Sequence, residues 1–117
     1  MAIDLTFATG SAVTISTTEL SLISGTTTLQ TSTTAGIYEL VLDCANMTAT
    51  EAYELRIYET AVAGGTKHLV RRKPINGAQA EPILVLPSLL LGVGWDITMD
   101  KLAGTDRAFS WSVRKVA

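Results

Sequence analysis

Few side chains in this sequence are equipped for chemistry, and they are scattered. His68 is the single histidine. A histidine acting as a general base needs a nucleophile to activate or a carboxylate to orient it. Neither stands beside it in the run His68-Leu69-Val70-Arg71-Arg72-Lys73, so it reads as a solvated strand residue. Cys44 is the single cysteine. It has no partner for an internal disulfide, no His or Asn motif around it, and reads as a small half-buried residue at a strand end. One His and one Cys fall short of the several ligands a zinc site usually draws. Glu51, Glu54 and Glu59 come nearest to paired carboxylates, yet Glu54 and Glu59 differ in parity and face opposite sides of a strand. Gly64-Gly65-Thr66-Lys67 lacks the longer glycine pattern of a phosphate loop. No catalytic constellation, cofactor or metal is expected.

Binding chemistry is better represented. Arg71-Arg72-Lys73 is the densest charge in the chain. Nucleic-acid surfaces gather more basic residues on one face, with aromatics or a known motif, and the formal net charge is −2. Arg71 and Arg72 therefore read as a solvated or partner-facing strand end, with no nucleic-acid partner. Trp95 and Trp111 offer either core anchors or a platform for stacking sugars. The face they share has no polar members, which favours the core. The segment Ile83-Leu84-Val85-Leu86-Pro87-Ser88-Leu89-Leu90-Leu91 stands apart, because Ile83 to Leu86 are apolar on both faces. Pro82 and Pro87 argue against a central strand. An edge strand with two apolar faces needs a cover, supplied either by its own domain or by a partner. Ile83, Leu84, Val85, Leu86, Leu89, Leu90 and Leu91 are the interface candidates, with Arg71 and Arg72.

The elements that must position these residues are strands. The 117 residues are 47% hydrophobic and 17% charged, with mean hydropathy +0.30. That content excludes intrinsic disorder and fits a single domain over residues 1–117. The 17 threonines, eleven of them before residue 35, favour a half-exposed pleated surface. Period-2 alternation marks Ile3-Leu5-Phe7, Val13-Ile15, Leu20-Leu22, Tyr38-Leu40-Leu42 and Tyr53-Leu55-Ile57. A Thr-rich loop spans about 24–35. The best helical stretch, Asn46 to Ala52, is a turn or two at most. This spacing predicts an all-β, antiparallel β-sandwich, immunoglobulin/fibronectin-like or jelly-roll-like, with little or no helix. No apolar run approaches the ~20 residues of a membrane helix. The N-terminus lacks the basic and apolar regions of a signal peptide, so the chain is expected neither in a membrane nor secreted.

Two local expectations are sharper. Trp95-Ile97-Met99 and Phe109-Trp111-Val113 alternate on either side of Ala103-Gly104-Thr105. Matching the apolar faces predicts a hairpin with Met99 opposite Phe109, Ile97 opposite Trp111, Trp95 opposite Val113 and Lys101 opposite Arg107. Tyr53, Trp95, Ile97, Phe109 and Trp111 are the expected core anchors. Met47 followed by Tyr53 resembles a tyrosine corner, in which a loop residue plugs the core and the Tyr hydroxyl bonds nearby backbone.

The runs Tyr53-Glu54-Leu55-Arg56-Ile57-Tyr58-Glu59, Gly64-Gly65-Thr66, Gly94-Trp95-Asp96-Ile97-Thr98, Leu102-Ala103-Gly104-Thr105-Asp106-Arg107 and Trp111-Ser112-Val113-Arg114 together resemble small virion proteins of tailed bacteriophages. The resemblance covers roughly the C-terminal two-thirds. It implies a capsid decoration, or cement, protein: a homotrimer or other homo-oligomer on the outer shell, clamping subunits of the major capsid protein. It also implies a virion location after synthesis in the host cytoplasm, and no enzyme activity. A small tail structural protein and a carbohydrate-binding β-sandwich module are the alternatives.

Overall fold

A computed structural model of the chain describes residues 3–117. Eight strands run in order: β1 Asp4–Ile15, β2 Leu20–Ser21, β3 Gly36–Asp43, β4 Ala52–Glu59, β5 His68–Asn76, β6 Ile83–Leu91, β7 Trp95–Ala103 and β8 Arg107–Lys115. One sheet has the order β1-β8-β3-β6 and the other β2-β7-β4-β5; we call them sheets A and B. All the pairings are antiparallel. The pairs β4·β5, β3·β6, β2·β7 and β1·β8 describe one long antiparallel ribbon, turned back on itself between β4 and β5. Rolled up, such a ribbon is a jelly roll. Among the described residues there is no helix, and Asn46 to Ala52 forms turns leading into β4.

The inward residues are those the alternation marks. Tyr38, Leu40 and Leu42 from β3 meet Tyr53, Leu55 and Ile57 from β4 across the sandwich. Trp95, Ile97 and Met99 from β7 and Phe109, Trp111 and Val113 from β8 complete the middle of the core, and all twelve are buried. Phe7, Tyr38 and Trp95 form one aromatic cluster, with Tyr38 and Trp95 centroids 4.7 Å apart. Tyr53 and Phe109 form another at 4.7 Å.

Three expectations need correction. β7 and β8 are not a hairpin: they lie in opposite sheets, and the chain crosses between them at Gly104, whose φ is +88°. Met99 instead pairs with Leu55, Ile97 with Ile57, and Trp111 with Leu42 and Gly10. Lys101 pairs with Asp106 rather than facing Arg107. Alternation sets which face is apolar, and two such faces meet equally well side by side or stacked across a core. The first two alternating segments form a single strand, β1, with two bulges. The second bulge shifts the inward set from Ala8 and Gly10 to Val13 and Ile15, while Ile3 and Leu5 stay in solvent. The tyrosine corner is also different. Tyr53 Oη bonds the carbonyls of Ile15 and Thr105 and accepts from Arg107 N at 2.8 Å, all remote segments rather than nearby backbone. Met47 is buried.

The Thr-rich loop is fastened rather than free. Ser32 and Trp95 exchange backbone bonds, Asp96 Oδ2 accepts from Gln30 N at 2.8 Å, and the Trp95 indole and Tyr38 hydroxyl both donate to the Thr34 carbonyl. Trp111 Nε1 donates to Leu22 O at 2.9 Å. The aromatic rings thus supply core volume and spend their polar ends on the backbone of Leu22 and Thr34.

Trp111 is held so closely that a Cβ at Gly10 would lie 2.3 Å from its ring. Trp111→Ala is expected to cost about 3–5 kcal/mol in urea unfolding, as for a large core aromatic. Gly10→Ala is expected to cost about 1–3 kcal/mol by overpacking. Losses well under 1 kcal/mol in both, roughly the level of a surface substitution, would contradict this packing.

Candidate interaction surface

Each sheet has two edges, and a free edge presents unpaired backbone groups that invite another strand. Three of the four edges are blunted. β1 is bulged twice, and Ala12 takes a φ of 50° with its amide turned onto Ser110 Oγ. β2 has only two residues. β5 carries Arg71, Arg72, Lys73 and Pro74. Arg71 and Lys73 pair with Ile57 and Leu55, so they sit at inward positions of the edge, where a charge opposes sheet extension.

The fourth edge, β6, has no charged residue from Ile83 to Leu91. Its interface candidates divide between two roles. Leu86, Leu89 and Leu91 belong to the core rather than to any contact surface, and Leu84 is half-buried against them. Ile83, Val85 and Leu90 point outward, 50%, 45% and 75% exposed. Val85 pairs with Val41 and Leu90 with Ile37, so these side chains form an apolar strip along the outer face of sheet A. Pro87 and Ser88, the latter at a φ of 57°, make the bulge that returns Leu89 to the core. The sequence motif that stood apart is therefore an edge strand, apolar on both faces. Arg71 and Arg72 lie on the opposite sheet and do not join it.

The middle of the outer face of sheet B is polar. Arg56 lies between three carboxylates: Glu54 at 2.6 Å, Asp100 at 3.3 Å and Glu19 at 3.5 Å. Glu54 is also 3.9 Å from Arg72. Burial opposes the ionisation of Glu19, but donation from Thr98 and Tyr58 and the charge of Arg56 outweigh it and lower its pKa. Burial pushes the Asp100 pKa up, against the pull of Arg56, and Asp100 Oδ1 has no hydrogen-bond partner. Burial likewise raises the pKa of Asp96, despite donors from Gln30, Ser21 and Ile97. Cys44 is buried and its thiol is pushed up to about 11 by that burial. Among the described residues no group of three or more His, Cys, Asp or Glu is arranged to hold a metal ion.

Trp95 and Trp111 are buried, with both indole N–H groups bonded to backbone. They give a sugar nothing to stack on. His68 is exposed at the start of β5. Glu51, weighed in the sequence only as one of three carboxylates, has a structural role the alternation did not show. Its side chain is buried, with Arg107 Nε at 2.9 Å and Thr48 N at 2.7 Å. Thr48-x-x-Glu51 is the spacing of a capping box, here closing a turn without a helix. That spacing was the available signal.

Neither protein-family models nor curated proteins match the chain. The crystal structure of the Yersinia pseudotuberculosis-derived mitogen resembles it with a TM-score of 0.50 at 16% identity, over 99% of this chain and 86% of that one. At that identity the likeness shows a shared β fold and nothing of function.

Hydrogen bonding from Arg107, with Thr50 and Thr48, lowers the Glu51 pKa from 4.5 to about 2. A depressed carboxylate adds stability that is complete above the unfolded pKa and is lost as pH falls through the folded one. Its contribution should therefore fade between about pH 4.5 and 2. Asp96 and Asp100, whose pKa values are raised, work in the opposite direction. Glu51→Gln should begin less stable at neutral pH and lose less on acidification than the parent chain. Urea midpoints measured down the pH scale check this, and parallel profiles would contradict it.

Proposed function

We propose that this chain is a structural protein of a tailed-bacteriophage virion, a capsid decoration protein that seats the outer face of sheet A on subunits of the major capsid protein. The single observation behind this is the strip of Ile37, Ile83, Val85 and Leu90, left exposed on the outer face of β3 and β6 while Tyr38, Leu40, Leu42, Leu86, Leu89 and Leu91 of the same strands are buried. A strip of this kind marks a contact site when it is contiguous. The resemblance of roughly the C-terminal two-thirds to phage virion proteins supports the reading. So does the jelly-roll strand order, which recurs in viral capsid domains, although fold analogy by itself never assigns a function. Contact with an apolar area on the order of a few hundred Å², at roughly 25 cal/mol per Å², yields several kcal/mol before association costs. That suits a weak contact repeated over a shell, where many identical sites give avidity.

Purified virions should carry this chain on the head exterior under immunogold labelling, and capsids assembled without it should disrupt at lower temperature. A location confined to the tail would transfer the protein to tail structure. Absence from virions would overturn the reading.

A further inference from the structure

We infer that β6 is also the contact between two copies of this chain, pairing antiparallel with its own counterpart about a two-fold axis at Val85. Cys44 N donates to Pro82 O at 2.7 Å, and Leu42 and Leu40 pair with Leu84 and Leu86. Hydrogen-bonded and non-bonded positions alternate in an antiparallel ladder. Leu84 and Leu86 therefore spend their backbone groups on β3, while Ile83, Val85 and Pro87 direct theirs to the open edge. Pro87, which has no N–H, costs an outward position nothing inside its own sheet.

The segment Ile83-Leu84-Val85-Leu86-Pro87 is apolar on both arms about its centre, so it can oppose itself without conflict. Centred on Val85, each Val85 exchanges both backbone bonds with the partner's Val85. Each Ile83 N–H meets the carbonyl of the partner's Pro87. On the inner side, half-buried Leu84 gains the partner's Leu86 as neighbour. The bulge at Ser88 ends the match there. Charge selects this edge over β5, where self-pairing would set Arg71, Arg72 and Lys73 against their own copies. The occupant is thus a second copy, and the symmetry is two-fold, the isologous arrangement. The pairing deepens the shell-binding reading, because it lays two apolar strips side by side on one continuous sheet face.

Sedimentation of this chain, free in solution, over a concentration series, with amide hydrogen exchange on the same samples, tests this apart from any virion. The expected result is a monomer–dimer equilibrium in which the Ile83 and Val85 amides gain protection as dimer forms. Val85→Lys sets two like charges directly opposite each other and should weaken the dimer by about tenfold or more. Val70→Lys, at an exposed position on β5, should leave it unchanged. Circular dichroism checks that both variants fold. The exchange measurement on the parent chain decides the matter if Val85→Lys does not. A trimer insensitive to Val85→Lys, a chain monomeric throughout with unprotected Val85, or protection appearing only on capsids would overturn self-pairing. Those outcomes leave the virion test standing, and absence from virions leaves this one standing.

Discussion

The structure turns on one phenol. Where the chain leaves sheet B after β7 and enters sheet A at β8, Tyr53 Oη shares its proton between the carbonyls of Ile15 and Thr105 and accepts from the Arg107 amide. At the crossover, where the β1–β8 ladder ends on the pair Ile15 and Arg107, one buried hydroxyl thus ties together three backbone groups. Glu51 reinforces it from outside by holding the Arg107 guanidinium. The two contacts bring the end of β1, the turn before β4 and the start of β8 to one point. Gly104 is required there: its φ is +88°, and a Cβ would lie 2.5 Å from the Thr50 carbonyl oxygen.

From that point the rolled ribbon follows. With β8 directed into sheet A, it pairs with β1 and β3, and β6 is left at the margin as the partner of β3 alone. The margin is where an uncharged strand matters. β5, at the corresponding place in sheet B, carries its charges on the edge, and β6 carries none. The asymmetry of the surface, polar and ion-paired over the middle of sheet B and apolar at the β6 side of sheet A, is thus a consequence of topology. It leaves the domain one uncharged edge and one apolar strip, on which the proposed virion role rests.

The strands and their inward faces were legible in the sequence because alternation is imposed by the pleat itself. Tyr38, Leu40, Leu42, Trp95, Ile97 and Met99 show that. Partner choice was not legible. The Trp95 and Phe109 segments look like a hairpin because two apolar faces and a glycine-bearing linker are all that a hairpin or a crossover asks of the sequence. The first strand was misread because bulges at Asp4–Ala8 and Gly10–Val13 change its parity, and a bulge leaves no residue-type signature here. The double-faced run at 83–91 was legible as an anomaly, and Pro82 and Pro87 pointed to an edge. The splitting of its leucines between core and strip depends on the Ser88 bulge. Glu51 and Arg107 are 56 residues apart, beyond the reach of any local pattern except the Thr48-x-x-Glu51 spacing.

The most direct measurement removes the phenol oxygen and nothing else. Tyr53→Phe keeps the ring against Phe109 but removes the hydroxyl's bonds to the Arg107 amide and the two carbonyls. Losing these bonds is expected to cost about 1–3 kcal/mol in unfolding free energy, and the Arg107 amide should lose protection from hydrogen exchange. Unchanged stability with a still-protected Arg107 amide would contradict the account, because it would mean that the β1 ladder, where Ile15 is the partner of Arg107, holds that amide without the hydroxyl.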